Sequence, residues 1–222
     1  DSIFLQTKDE HSIETDCLVP IVSAREIQNG AICWKKKYLI NPYRDGNLCT
    51  FDLYPKMGKY FNANKDTLKK RHTAQANHDK WYKTIDKFND ALLKKTKLLI
   101  PDFAGMKKLV IDDGHFYPHH SLYYIAGREM DDMKILASLL MSSFVRGQLS
   151  KIGICMHDGF PRLQAQTLRK IKIPNLDGFS KKERKILINS YENDLPLAAD
   201  IVVDSYCERN NVLMAKAETK AI

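Results

Sequence analysis

Asn41, Pro42 and Tyr43 close the apolar run "LINPY" and are the first residues in the chain whose types could do chemistry. A side-chain amide and a backbone carbonyl can hold an exocyclic amino group while an aromatic ring stacks on the base that carries it. Methyl transfer to a flipped-out base requires that arrangement. It needs Asn/Asp-Pro-Pro-Tyr/Phe, and here one proline is missing. It also needs a Gly-rich turn between an upstream strand and helix to seat S-adenosylmethionine, and none of the 38 residues before Leu39 reads Gly-x-Gly. The residues themselves predict a strand end that turns into the Asp45-Gly46 loop, not a methylation site.

Three further groups invite the same scrutiny. "GHFYPHH" gathers His115, His119 and His120, but Pro118 and the aromatics Phe116 and Tyr117 favour an extended segment. There His119 and His120 point to opposite faces, whereas a metal site wants an i, i+4 pair or carboxylates at fixed spacing. Asp112-Asp113 has the composition of a nuclease carboxylate pair, but no Glu/Gln-x-Lys follows it, and acidic pairs beside a glycine such as Gly114 make turns. Trp81 and Tyr82, among lysines, could stack on DNA or anchor a helix to a sheet. No Ser-His-Asp, P-loop or Cys-His arrangement stands out. The expectation is no catalytic residue and no metal ligand.

The elements that must position these groups follow from periodicity. Short apolar runs predict strands near 17–23, 31–35 and 37–41, broken at Asn29-Gly30, with another strand after Asp45-Gly46. From Asn64 to Lys95 the residues Leu68, Trp81, Ile85, Phe88 and Leu92 recur at helical spacings, which predicts long amphipathic helices. "KLLIPDF" and "KKLVIDDG" predict paired strands about a Gly105 turn, and "GHFYPHHSLYYIAG" adds a strand ending near Ile125. "MDDMKILASLLMSSFVRGQL" is the strongest helix, with Met133, Leu136, Leu140 and Phe144 on a core-facing side. A short helix in "LQAQTLRKI" stops before Pro174. A capping box of Ser180 and Glu183 opens another, and a last one runs from about Leu197 to Glu208. The fold class is α+β: a curved, mixed, mostly antiparallel sheet flanked by helices, with a C-terminal helical appendage.

The net charge of +8 is unevenly placed. Residues 56–108 carry 14 basic and 5 acidic side chains, a net of +9, while the rest of the chain is close to neutral. A basic excess confined to one segment is the footprint expected of a polyanion-binding face, although lysine-rich helices are also ordinary solvated surface. No run reaches the ~18 apolar residues of a membrane span. Five scattered cysteines without a Cys-x-x-Cys pair favour reduced thiols in a cytoplasmic protein. "DSIFLQTKDEH" has no basic n-region and reads as a fragment boundary, not as a signal peptide.

Taken in order, several segments form one pattern: "VPIVSAREIQNGAICWKKKYLINPY", "LKKR…WYK", "KTKLLIPDFAGMKKLVIDDGHFYPHHSLYYIAG", "ILASLLMSSFVRGQL" and "RLQAQTLRKIKIP". The pattern resembles the TaqI-like C-terminal specificity domain, the target recognition domain of N6-adenine DNA methyltransferases and type II or IIG restriction–modification enzymes. It covers about residues 17 to 174. The resemblance implies a recognition domain over 1–174 and a helical extension over 175–222, whose "AADIVVDSY" also looks like a tail of such enzymes. It further implies that "LINPY" is a structural strand end and that the catalytic loop lies in a separate domain.

The expected function is then sequence-specific recognition of double-stranded DNA beside a methyltransferase domain of the same polypeptide. No cofactor is expected in this chain, and S-adenosylmethionine is expected for the full-length enzyme. Lys69, Lys70 and Arg71 are candidate phosphate contacts. Arg44, Lys107, His115, Arg146, Lys151 and Arg162, at strand or helix ends, are candidates nearer the bases. Two other readings stay open: a type I-like specificity module acting mainly in subunit assembly, and an independent metal-dependent nuclease.

Overall fold

The chain is α+β, as its alternation of strand-like and helical segments predicts. The structure, a computed structural model, describes residues 2–7, 13–102, 108–152, 154–155, 161–162 and 165–210. In chain order the strands are Leu5–Thr7 (β1), Leu18–Val22 (β2), Ile27–Gln28 (β3), Ala31–Ile32 (β4), Lys37–Ile40 (β5), Tyr43–Arg44 (β6) and Asn47–Leu48 (β7). They continue with Thr96–Pro101 (β8), Val110–Asp113 (β9), Tyr117–Pro118 (β10), Leu122–Ala126 (β11), Ile154–Cys155 (β12) and Pro161–Arg162 (β13). The first α-helices are Pro55–Ala63 (α1), Lys65–Lys69 (α2), His72–Gln75 (α3) and Asp90–Leu93 (α4). Met130–Met141 (α5), Ser143–Ile152 (α6), Ala165–Leu168 (α7), Lys181–Glu192 (α8) and Pro196–Arg209 (α9) follow.

These elements form two compact units. The first comprises Asp1–Val22, Cys33–Lys95 and Gly114–His119. Its sheet has the order β1-β5-β2-β10, antiparallel except for the β10–β2 pair. Phe4, Cys17, Leu18, Ile40, Met57, Phe61, Leu68 and Trp81 share its main apolar core. The hairpin β6–β7 turns through Asp45 and Gly46, whose φ values of 47° and 74° make a type I′ turn. The mirror-type turn suits paired strands because its twist matches theirs, and aspartate and glycine tolerate the left-handed backbone.

The expected long helices of 64–95 are instead short pieces: α2, α3, a 3-10 turn at His78–Lys80, and α4. Asn64, Asn77 and Asn89 stand at their boundaries. Leu68, Trp81, Phe88 and Leu92 are buried as the periodicity implies, but Ile85 is 72% exposed. Helices of four or five residues lie below the length that holds in water, so tertiary contacts hold these turns in place.

The second unit comprises Ser23–Ile32, Thr96–Asp113 and His120–Ile222. Asn29 and Gly30, at φ 49° and 77°, close β3 onto β4 by the same turn chemistry. The antiparallel sheet β11-β8-β9 lies against α5, and β8 is buried along nearly its whole length. Met133, Leu136 and Leu140 of α5 and Phe144 of α6 are buried, as predicted, in a core shared with α8 and α9, but the single helix expected there breaks at Ser142, whose backbone is extended at ψ 159°. The capping box at Ser180 and Glu183 is formed. Ser138 Oγ donates to the Leu187 carbonyl at 2.6 Å, and Arg184 pairs with Asp132 at 2.5 Å, so α8 is tied to α5 by polar as well as apolar contacts. Cys17, Cys33, Cys49 and Cys207 are free thiols.

Two polar features generate tests. Lys97 and Asp112 face each other across the β8–β9 ladder, with Nζ to Oδ2 at 2.5 Å and side-chain exposures of 0% and 1%. Removing one partner leaves a buried charge without this ion pair, at a cost of ~3–5 kcal/mol, whereas replacing both with apolar residues is much milder. In urea unfolding, Lys97→Met should therefore be far less stable than Lys97→Met/Asp112→Leu. Equal losses in the single and double variants would refute a desolvation-controlled pair. Glu183 accepts from Arg209 and from the Ser180 hydroxyl and N–H, and these donors hold its carboxyl down to about 2 from an ordinary 4.5. A carboxyl depressed in the folded state adds stability above its unfolded pKa, and that increment drains away as pH falls from about 4.5 towards about 2. Thermal melts across this window should drop less steeply for Glu183→Gln than for the parent chain.

Candidate nucleic-acid interface

The basic segment begins with α1, where Pro55 occupies the first turn at no hydrogen-bond cost. Glu14, distant in sequence, caps it: its carboxylate accepts from the N–H groups of Lys56 at 2.7 Å and Met57 at 2.8 Å. Partial burial pushes the Glu14 pKa up, but these N–H donors and the nearby Lys56 charge outweigh it and leave it below its usual value. With Met57, Gly58 and Phe61 facing inward, Lys56 and Lys59 are exposed. Gly58 allows that approach, since a Cβ there would sit 2.7 Å from Phe51 Cβ. One turn later α2 buries Leu68 and leaves Lys69 and Lys70 in solvent, while Lys65 lies over the Trp81 ring at 5.5 Å.

Arg71, the next residue, is occupied differently. Its Nε donates to the Leu68 carbonyl at 3.1 Å, and its terminal nitrogen donates to the Trp81 and Lys83 carbonyls at 2.7 and 3.0 Å. The guanidinium also lies 4.9 Å from the Phe4 ring centroid. Burial lowers its pKa, and Tyr43 opposes that shift. Arg71 thus ties the turn after α2 to the Trp81 segment.

Arg44 is similarly engaged. Its guanidinium donates to the carbonyls of Tyr43 and Asp16 at 2.7 and 2.8 Å, pairs with the Asp16 carboxylate at 3.4 Å, and lies over the Tyr54 ring. Burial works to lower its pKa, but interactions with Cys17, Tyr54 and Asp16 raise it overall. Cys17 beside it is pushed up to about 11 by burial, with Arg44 pulling the other way, so its thiol stays protonated and is no nucleophile at neutral pH.

The Asn-Pro-Tyr sequence is closed on itself. Asn41 is 3% exposed, and its Oδ1 accepts from the Tyr43 N–H at 3.0 Å. Its own N–H donates to the Cys17 carbonyl, and the Pro42 carbonyl accepts from the Cys49 N–H. Tyr43 is buried with Val19 and Phe88, and Thr84 Oγ1 donates to its hydroxyl at 3.3 Å. Buried and engaged in this local turn, the amide is not presented to a base.

Trp81 and Tyr82 are structural as well. Trp81 is 7% exposed in the core, and the Tyr82 hydroxyl donates to the Cys49 carbonyl at 2.7 Å. Asp112 is committed to Lys97, and Asp113 accepts from Thr96 Oγ1 at 3.1 Å; both end β9, so the turn expected of them falls to Gly114 at φ 78°. His115 is exposed in the first unit, whereas Arg146 and Lys151 are exposed on α6 in the second. Arg162 pairs with Ile154 in the β12–β13 ladder, and Lys107 and Gly105 lie outside the described residues. Among the described residues, no three His, Cys, Asp or Glu side chains converge as a metal site, and no helix is long and apolar enough to cross a membrane. Sequence reasoning missed Glu14 and Asp16, which position the basic stretch and Arg44; only the carboxylates themselves, far from their partners in sequence, could have hinted at them.

No family model matches the chain. Among characterised proteins, it is 34% identical over 190 residues to the type II methyltransferase M.BstVI of Geobacillus stearothermophilus, covering 85% of this chain and 34% of that protein. It is 35% identical over 175 residues to M.PaeR7I of Pseudomonas aeruginosa, covering 78% and 30%. The relatives are type II methyltransferases. The chain spans about a third of their length. In fold it is similar to the type IIL restriction–modification enzyme MmeI, solved in complex with DNA, with a TM-score of 0.64 at 15% identity over 94% of this chain and 31% of that one. The type IIG restriction endonuclease BpuSI gives a TM-score of 0.57 at 14% identity, over 94% and 29%.

The contrast between neighbouring basic residues is testable. Lys69→Ala and Lys70→Ala should each change unfolding stability by no more than ~0.5 kcal/mol, as solvated surface positions do. Arg71→Ala takes the side-chain donor from the Trp81 and Lys83 carbonyls, while Leu68 keeps a backbone donor, and should cost ~2 kcal/mol. Chemical denaturation of the three variants measures the difference.

Proposed function

We propose that this chain is the DNA-recognition part of a type II methyltransferase or fused restriction–modification enzyme, of the TaqI-like specificity type, acting on adenine N6. The reading is carried by one observation: the chain matches type II methyltransferases over most of its own length but only about a third of theirs. The geometry agrees with it, because the one sequence similar to a methylation loop spends its amide on Tyr43 while lysines face solvent. In this reading residues 1–174 form the recognition domain and 175–222 a helical extension that helps build the core of the second unit. The methyltransferase domain of the same polypeptide binds S-adenosylmethionine and the flipped base, in the cytoplasm.

Lysine on short, pinned helices suits phosphate contact, since an ammonium grips by charge and tolerates variation in position. Lys69 and Lys70 take that role. His115, Arg146, Lys151, Lys107 and Arg162 remain the proposed groups nearer the base edges, where donors and acceptors can be matched in the major groove. Arg44 and Arg71 hold the loops of the first unit in shape.

Duplex binding by the chain should fall steeply between about 50 and 200 mM salt, and each of Lys69→Ala and Lys70→Ala should reduce the log–log slope by about 0.9. In the full-length enzyme, alanine at a base reader should cost ~1–3 kcal/mol and relax one position of the methylated motif, read by sequencing the methylated sites. Binding without a salt slope, or an unchanged motif in all five variants of the proposed readers, would sink the reading.

A further inference from the structure

Four non-glycine residues among those described have left-handed backbone: Asn29, Lys36, Asp45 and Asp194. Asparagine and aspartate tolerate that region because their short polar side chains bond locally; lysine has no such compensation. Lys36, at φ 55°, is therefore the odd member. It sits in the middle of Lys35-Lys36-Lys37, a run outside the segment 56–108 that carries the net basic excess.

Trp34 anchors the loop. Its indole Nε1 donates to the Lys37 carbonyl at 3.2 Å and to the Ile21 carbonyl at 3.0 Å, so the side chain closes the loop onto β2. The ring is held between Tyr38 and Phe116, each with its centroid 5.2 Å away. Lys35 and Lys36 are exposed and Lys37 is half-buried. A strained residue persists only where its surroundings over-determine it, and such strain concentrates at binding sites. A rigid, anchored loop also loses little entropy when a ligand is bound.

We infer that the Lys35–Lys37 loop is a second, preorganised grip on the phosphates of duplex DNA, with Lys36 at its tip. The inference rests on the proposed DNA-recognition function and adds a contact surface to it. Lysine at a position where Asn or Gly would be less strained sets an ammonium on a fixed, exposed turn, which suits phosphate contact.

The test compares Lys36→Gly, Lys36→Asn and Lys36→Arg in the whole chain, using a fluorescent duplex and thermal melts. The Gly and Asn variants should keep or raise the unfolding midpoint while lowering the salt slope by about 0.9. Over a fourfold rise in salt that difference means the parent loses ~3.5-fold more affinity than either variant. Lys36→Arg should retain the parental slope. The inference is overturned if Lys36→Gly binds with the parental affinity and slope. A lower midpoint in both the Gly and Asn variants overturns it too, since lysine would then be kept for folding. If the parent chain itself shows no salt-dependent binding, the proposed function fails first, and the two failures are told apart.

Discussion

The second unit is organised around one ion pair that cannot see water. Lys97 and Asp112 are opposite each other on β8 and β9, both fully buried. Desolvating either charge alone costs several kcal/mol, so each strand is acceptable only in the register that supplies the partner. A slip of one strand by one residue would turn its side chain to the opposite face and separate the pair. Because β8 is also the central strand of its sheet and packs against α5, that register sets where the helical layer of α5, α8 and α9 can rest. The apolar core supplies the driving force, and the pair selects one arrangement of it.

The first unit solves a different problem: it must hold a lysine-rich surface whose helices are too short to persist alone. It does so by spending arginine and glutamate inward and lysine outward. Arg71 and Arg44 satisfy backbone carbonyls at loop turns, using the planar fork that makes arginine suited to several acceptors at once. Glu14 takes the orphan N–H groups at the start of α1. The lysines left over at Lys56, Lys59, Lys69 and Lys70 stay in water on a fixed frame. Such a frame suits an electrostatic partner, because positions are set by the fold while affinity remains adjustable by salt.

This division also explains why basic residue type, more than basic density, matters in reading the surface. A count of charges along the chain treats Arg71 and Lys70 as equivalent neighbours. One has its guanidinium among three carbonyls, and the other projects into solvent. The same holds for the Asn-Pro-Tyr sequence, where a hydrogen bond two residues long removes the amide from any outside partner.

What the sequence determined by itself was local. The turns at Asn29-Gly30 and Asp45-Gly46, the capping box at Ser180 and Glu183, and the buried face of α5 each depend on residues within a few positions of one another. The α+β class followed from those pieces. What only the tertiary structure decided was where long-range partners fall. Apolar residues at helical spacing from Leu68 to Leu92 were equally compatible with a chain of short turns, because packing asks only that they arrive at the core, not that a continuous helix carry them. The anchoring of the Lys36 loop depends on an indole reaching the Ile21 carbonyl, and the roles of Arg44 and Arg71 depend on carbonyls up to 28 positions away in sequence. Hydrogen bonds and charge pairs of that kind are made in space, after the chain has folded, so spacing along the sequence carries no record of them.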